Sequence, residues 1–341
     1  MIKYQSEKLK EQTSWINVLK GIGIIFVVLG HFIIPEFLHN YIYSFHMQLF
    51  FFISGYLMNL NREMYTIDYI CKKVNSLIVP FFIFNFTGIV YWNIRTYIFQ
   101  NTILPFKKNA SELFCLENIT GWNEPVWFLL SLFIIEILSY ILLNNKSYNM
   151  NLIFLLSIIV GIIYNNVEDL PFQIDGAIIG FSFFIFGYII KDKSIIERLY
   201  KKCTFKYVII LLILSIFFSY INGSVNMSVG NLSNSIYTYI SAFSGIMLFS
   251  LLAYKINKSK ILEFIGRNSL FIMLTHYFIL DFYRFLGKYI LNYDFMHMGN
   301  IIIALIMTIV TIIITIPFIC FTNRYLPIFV GKCNLKFVIK L

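Results

Sequence analysis

The sequence predicts an all-α fold, a polytopic bundle of about ten transmembrane helices with both termini cytoplasmic. Composition is the first observation behind this: 59% of the 341 residues are hydrophobic and only 13% charged, against roughly a quarter charged in an ordinary soluble domain. A soluble globule of this size is excluded. The second is that the apolar residues gather into ten stretches, each near the roughly 20 residues that a helix needs to cross hydrocarbon. The third is the placement of charge. A net charge of +10, from 27 Lys plus Arg against 17 Asp plus Glu, suggests nucleic-acid binding in a soluble domain. Here it follows membrane topology, and no nucleic-acid partner is expected.

The stretches cover residues 16–35, 41–60, 75–95, 126–143, 151–164, 174–190, 207–221, 236–254, 269–286 and 300–321. Helices are the expected structure, because a lipid-facing backbone must satisfy its own hydrogen bonds, and runs such as Ile209 to Phe218 lack the period-2 alternation of a barrel strand. The fifth stretch is the shortest, bounded by Tyr164, Asn165 and Asn166. Residues 1–15 form a cytoplasmic N-terminal segment, 16–321 the transmembrane domain and 322–341 a basic cytoplasmic tail. The first stretch follows Lys3, Lys8 and Lys10 without a small-residue cleavage site, so it is expected to be retained as a helix. With the N-terminus inside and sides alternating, 21 of the 27 basic residues fall on the inner side and five, Arg95, Lys107, Lys108, Arg284 and Lys288, on the outer, as the positive-inside rule requires. Of five cysteines only Cys115 lies in an outer segment, so no disulfide is expected. Cys/His metal spacing, a P-loop and G-x-G-x-x-G are absent from the sequence, and no metal is expected.

Ionisable residues at bilayer depth cost about 2.5–3.5 kcal/mol each even on the lenient insertion scale, so each needs a reason. Those singled out are Lys20, His31, His46, Glu136, Asp175 and His276. Lys20 and His31 are eleven residues apart, which on a helix is three turns plus about 20°, one face, and a rise of about 16 Å. The pair suits a ligand with an anionic end at the cytoplasm and a reactive end deep in the membrane. It suits equally a lysine that snorkels to lipid phosphate and a histidine bonded to a neighbouring helix. His46 descends the second helix about as far as His31 lies from the outer surface, so the two imidazoles can meet, and a histidine is the natural general base near neutral pH. Ser54-Gly55 reads as a close packing point more readily than as a nucleophile. Glu136, mid-membrane, calls for a histidine, a substrate or another partner. Asp175 serves equally as a helix N-terminal group. His276 is either a satisfied interhelical donor or part of the same cavity.

Several phrases together resemble the acyltransferase-3 family of integral-membrane acyltransferases, in particular the branch that O-acetylates bacterial surface polysaccharides and includes fucose 4-O-acetylase-like proteins. They are Lys20 and His31 with ten residues between; Ser44-Phe45-His46-Met47-Gln48-Leu49-Phe50-Phe51-Phe52-Ile53-Ser54-Gly55-Tyr56; Pro125-Val126-Trp127-Phe128-Leu129; Asp175 with Gly187-Tyr188; Asn222-Gly223 with Asn226-Met227; and Gly266-Arg267-Asn268-Ser269-Leu270 with His276. Lys20 stands where Arg is usual, which keeps the charge but loses the bidentate fork, and Gln48 stands where Pro is usual. The resemblance implies transfer of an acetyl group from acetyl-CoA to a sugar hydroxyl of a polysaccharide or its lipid-linked precursor, in the plasma membrane of a bacterium, among membrane lipid. A thioester is already activated, so the part the protein must add is a base. The implied catalytic residues are His31, His46 and Glu136. Lys20, Ser54 and Tyr56 fall to the acetyl-CoA side, and Trp127, Asp175, Asn222 and His276 to the acceptor. The competing expectation is a transporter of polysaccharide or lipid-linked sugar, with the buried His and Glu lining its path. The internal repeat of many transporters is not evident, which favours the enzyme.

Overall fold

The computed structural model describes residues 2–60, 64–100, 123–144, 148–165, 170–287 and 299–332. They form helices α1 (Ile2–Gly30), α2 (Glu36–Tyr43), α3 (His46–Leu57), α4 (Thr66–Lys73), α5 (Val79–Gln100), α6 (Trp127–Asn144), α7 (Met150–Tyr164), α8 (Ile174–Asp192), α9 (Ile195–Asn222), α10 (Ser235–Ile256), α11 (Lys260–Arg267), α12 (Ser269–Leu286) and α13 (Ile301–Tyr325). A π-helical turn, Val74–Ile78, joins α4 to α5. Among the described residues no strand forms, and one isolated bridge pairs Asn226 with Asn231. Among the described residues, seven helical segments are long and apolar enough to cross a membrane: Thr66–Ile98, Glu124–Asn144, Pro171–Asp192, Phe205–Asn222, Ser235–Ile256, Ser269–Leu286 and Ile301–Tyr325. Ser14–Gly30 and Met150–Tyr164 are shorter apolar helices. The fold is thus an all-α polytopic membrane bundle.

Two expected boundaries move. The first stretch stops being helical at Gly30 rather than at residue 35, and Pro35, with φ −49° and ψ 135°, directly precedes α2. The second, 41–60, is broken into α2 and the twelve-residue α3. At the break Phe45 has φ −144°, and the Ser44 hydroxyl donates to Tyr41 O (2.8 Å) while accepting from the Ser241 hydroxyl on α10 (2.8 Å). Interhelical polar bonds of this kind can compensate an interrupted helical ladder inside a membrane.

Burial separates the centre of the bundle from its rim. In the span Pro171–Asp192 72% of the most apolar window is buried inside the protein, against 17% in Phe205–Asn222 and 28% in Ile301–Tyr325. So α8 is central, whereas α9 and α13 turn residues such as Ile213, Phe217, Ile306 and Ile313 outwards, where hydrocarbon can solvate them. Between spanning helices there is little hydrophobic drive, so close van der Waals approach at small residues supplies much of the packing. Gly55 on α3 lies against the Phe184 backbone of α8, and Gly187 of α8 against the Phe52 carbonyl of α3. A second such contact sets Gly21 of α1 on the Leu262 backbone and Gly266 of α11 on the Asn17 carbonyl. The first contact holds α3 against α8 and the second holds α1 against α11, with Leu19, Ile24, Phe51, Phe52, Phe183 and Phe184 fully buried around them.

Candidate functional site

The helix ends nearest His31 converge on one small cavity. His31 is the first residue beyond α1, in a turn whose amide donates to Val28 O (3.3 Å). The α2–α3 corner brings in Tyr43, His46 and Met47. A single 3-10 turn, Glu124–Val126, adds Glu124 and Pro125 ahead of Trp127. That turn is fixed by the buried Asn123, whose amide donates to Leu274 O on α12 (3.0 Å). Val225–Ser228, from the loop between α9 and α10, closes the remaining side. The cavity volume is about 40 Å³, room for about three waters or for the few atoms of a reacting group.

Three of the singled-out imidazoles, His31, His46 and His276, belong to this region, and His39 stacks on Tyr43 at 4.1 Å. The His46 Nδ1–H donates to Ile42 O (2.8 Å) and the His276 Nδ1–H to Ile272 O (3.0 Å), each on its own helix. A carbonyl can only accept, so each ring carries its proton on Nδ1 and leaves Nε2 bare. His31 and His46 line the same cavity. Tyr43 stands in the same wall, with its ring centroid 4.8 Å from His46 and 6.5 Å from His31. The imidazole set against His31 is His276, at 5.0 Å between centroids. His276 lies behind His31, outside the cavity lining.

The other singled-out residues fall into different places. Trp127 lines the cavity and also packs on Gly176 of α8. Lys20 sits on α1, eleven residues before His31, partly buried, with no acidic partner among the described residues. Ser54 turns its hydroxyl back to Phe50 O (2.9 Å), and Tyr56 packs edge-on against Trp15 at 5.2 Å. Both lie towards the end of α3 away from the cavity, about 12 Å or more along the axis from His46.

Three residues expected in the chemistry or at the acceptor are committed to holding the fold. Glu136 is paired with Lys73 (2.7 Å) and accepts from the Tyr69 hydroxyl (2.5 Å), and Tyr69 in turn stacks on Tyr140 at 3.9 Å. This cluster is separate from the cavity. Asp175 caps the turn before α8, accepting from the Tyr164 hydroxyl and from Leu170 N (3.0 Å). Asn222 ends α9 by donating to Thr238 Oγ1 (2.8 Å) and Leu232 O (3.2 Å) and accepting from Asn234 N (2.9 Å). It therefore shapes the loop that carries Val225–Ser228 without lining the cavity.

Sequence reasoning missed Tyr43, Glu124 and Asp281. Glu124 directly precedes the Pro125 phrase, and its position at the head of an apolar stretch was the available signal. Asp281, buried in α12, accepts from the Tyr91 hydroxyl (2.7 Å) and is paired with Arg95 (2.8 Å), whose guanidinium also lies over Trp92. It could have been found by the rule that picked out Glu136, since it too is a carboxylate inside an apolar stretch.

A family model described as an acyltransferase domain matches residues 13–320 of the chain. No curated protein and no solved structure matches it significantly.

Proposed function

The chain belongs to the acyltransferase-3 family, the match spanning residues 13–320, and from that membership we propose that this membrane acyltransferase moves an acetyl group from acetyl-CoA to a hydroxyl of a cell-surface polysaccharide or of its lipid-linked precursor. We place it in the plasma membrane of a bacterium, with the N-terminus inside. The observation that carries the reading is the position of His31, just beyond the end of α1 in a cavity with Glu124, Tyr43 and His46, eleven residues after a lysine of α1 that has no acidic partner among the described residues. Family membership favours group transfer, and nothing beside it points to the transporter.

In this reading Lys20 contacts a phosphate of CoA as a point charge. The pantetheine arm then runs along α1 for the roughly 16 Å between Lys20 and His31, which brings the thioester to the cavity. His31 takes the proton of the acceptor hydroxyl. The oxygen attacks the thioester carbon, the C–S bond breaks, and the thiolate recovers the proton. A positioned base contributes typically about 10²- to 10⁴-fold to such a step. Glu124 and Tyr43 supply polar contacts for the remaining hydroxyls of the acceptor. Direct transfer is favoured over a covalent route through Ser54, because that hydroxyl is satisfied within α3 and stands away from the cavity.

The test is mass spectrometry of surface glycans from cells with and without the protein, together with His31→Ala and His31→Gln. Loss of an acetyl-sized mass in the deletion and in both variants, in protein that still folds and binds acetyl-CoA, is the expected result. A His31→Ala protein that acetylates normally ends the reading.

A further inference from the structure

His276 is completely buried, and its Nε2 has no hydrogen-bond partner in the structure. Its tautomer is set by its own helix. With Nδ1–H given to Ile272 O, Nε2 can act only as an acceptor. A buried acceptor left unmade is costly, so the donor nearest to it matters. The imidazole packed beside its ring is that of His31, with centroids 5.0 Å apart and planes tilted by 48°. Two imidazoles joined by an N–H···N bond of about 2.9 Å have centroids about 5 Å apart. The spacing already fits that bond, and rotation of the His31 ring about its Cβ–Cγ bond supplies the alignment. His31 can make that rotation because it follows the end of α1 and borders the cavity.

We propose that His276 is a positioning residue for His31: its Nε2 accepts the single N–H of the neutral His31 ring and thereby leaves the other His31 nitrogen bare towards the cavity. The role rests on His31 being the base of the proposed transfer. It parallels the oriented histidine of a hydrolase triad, with a neutral imidazole in place of the carboxylate. The bare His31 nitrogen removes the acceptor proton as the ester C–O bond forms and the C–S bond breaks. The imidazolium so formed keeps one N–H on His276 and passes the other proton to the departing thiolate. Atoms and charge balance within the two substrates and His31, and His276 exchanges no proton.

The experiment is solid-state ¹⁵N spectroscopy of the histidine-labelled, full-length protein in lipid bilayers, joined to steady-state kinetics. The wild-type protein should show a coupling across an N–H···N bond, assigned to this pair by its loss in both His31→Ala and His276→Phe. His276→Phe should lower kcat by about 10²-fold with the KM of both substrates within about twofold. His276→Gln, which keeps an acceptor near the place of Nε2, should recover at least about tenfold of that loss. The absence of a coupling in the wild-type protein overturns the proposal without need of any variant. So does equal damage by Phe and Gln, or a loss confined to KM, which would make His276 a substrate contact. Retained activity in His31→Ala would overturn the base itself, whereas an inactive His31→Ala beside a wild-type protein with no coupling overturns the positioning role alone.

Discussion

Lys73, the last residue of α4, and Glu136, in the middle of α6, form an ion pair of 2.7 Å that the Tyr69 hydroxyl completes. The carboxylate expected among the catalytic groups is therefore consumed in joining two helices. Removing one member of a buried pair leaves the other uncompensated and costs about 3–5 kcal/mol. Lys73 is 20% exposed, so water can relieve part of that and the lower figure applies.

Glu136→Ala is accordingly expected to lower the thermal unfolding temperature in detergent, and the double variant Lys73→Met/Glu136→Met to regain much of the loss. Turnover of the folded fraction should stay within about threefold, since the remaining effect is on packing rather than on the reacting atoms. A Glu136→Ala protein that melts at the wild-type temperature yet has lost turnover would return Glu136 to the chemistry.

Lys20 is assigned to the donor. Lys20→Ala should weaken acetyl-CoA binding by about tenfold or more, the 1.4 kcal/mol or so expected for a charged contact, and Lys20→Arg should preserve it. Isothermal titration with acetyl-CoA measures both. Unchanged affinity in the alanine variant would reduce Lys20 to an interfacial anchor.

Asn222 shapes the loop that lines the cavity through bonds to Thr238, Leu232 and Asn234. Asn222→Ala leaves buried partners unmade, at about 1–3 kcal/mol, and loosens Val225–Ser228. The KM for the acceptor should rise several-fold while the KM for acetyl-CoA holds. An increase in the donor KM instead would argue that this loop closes on CoA.

Orientation is tested by labelling from outside. Ser224, in the loop beside the cavity, and Ser194, between α8 and α9, are both exposed. In a cysteine-free background a membrane-impermeant maleimide on intact cells should label Ser224→Cys and spare Ser194→Cys. The reverse pattern would invert the topology that the basic residues predict.

Hydropathy alone determined the class of this protein, because lipid leaves a spanning segment almost no choice but a helix and the signal for one is local. The described helices α5 to α10, α12 and α13 recur in the stretches read from the sequence, whereas α11 falls between two of them, and the scarcity of charge made His31, His46 and His276 stand out. What only the tertiary structure decided is which of these groups share a space. His31 and His276 are 245 residues apart in the chain and meet where α1 packs closely, through Gly21 and Gly266, on the helix directly before α12, and no local pattern encodes that meeting. The break of the second stretch at Ser44 depends in part on a hydroxyl contributed by Ser241. Glu136 called for a partner that the sequence did not name, because Lys73 had been counted with a loop at the membrane edge, and the fold lays α4 against α6. A side chain's chemistry is written in the sequence, but whether that chemistry is spent on structure or left free for a substrate depends on distant partners, and packing alone selects those.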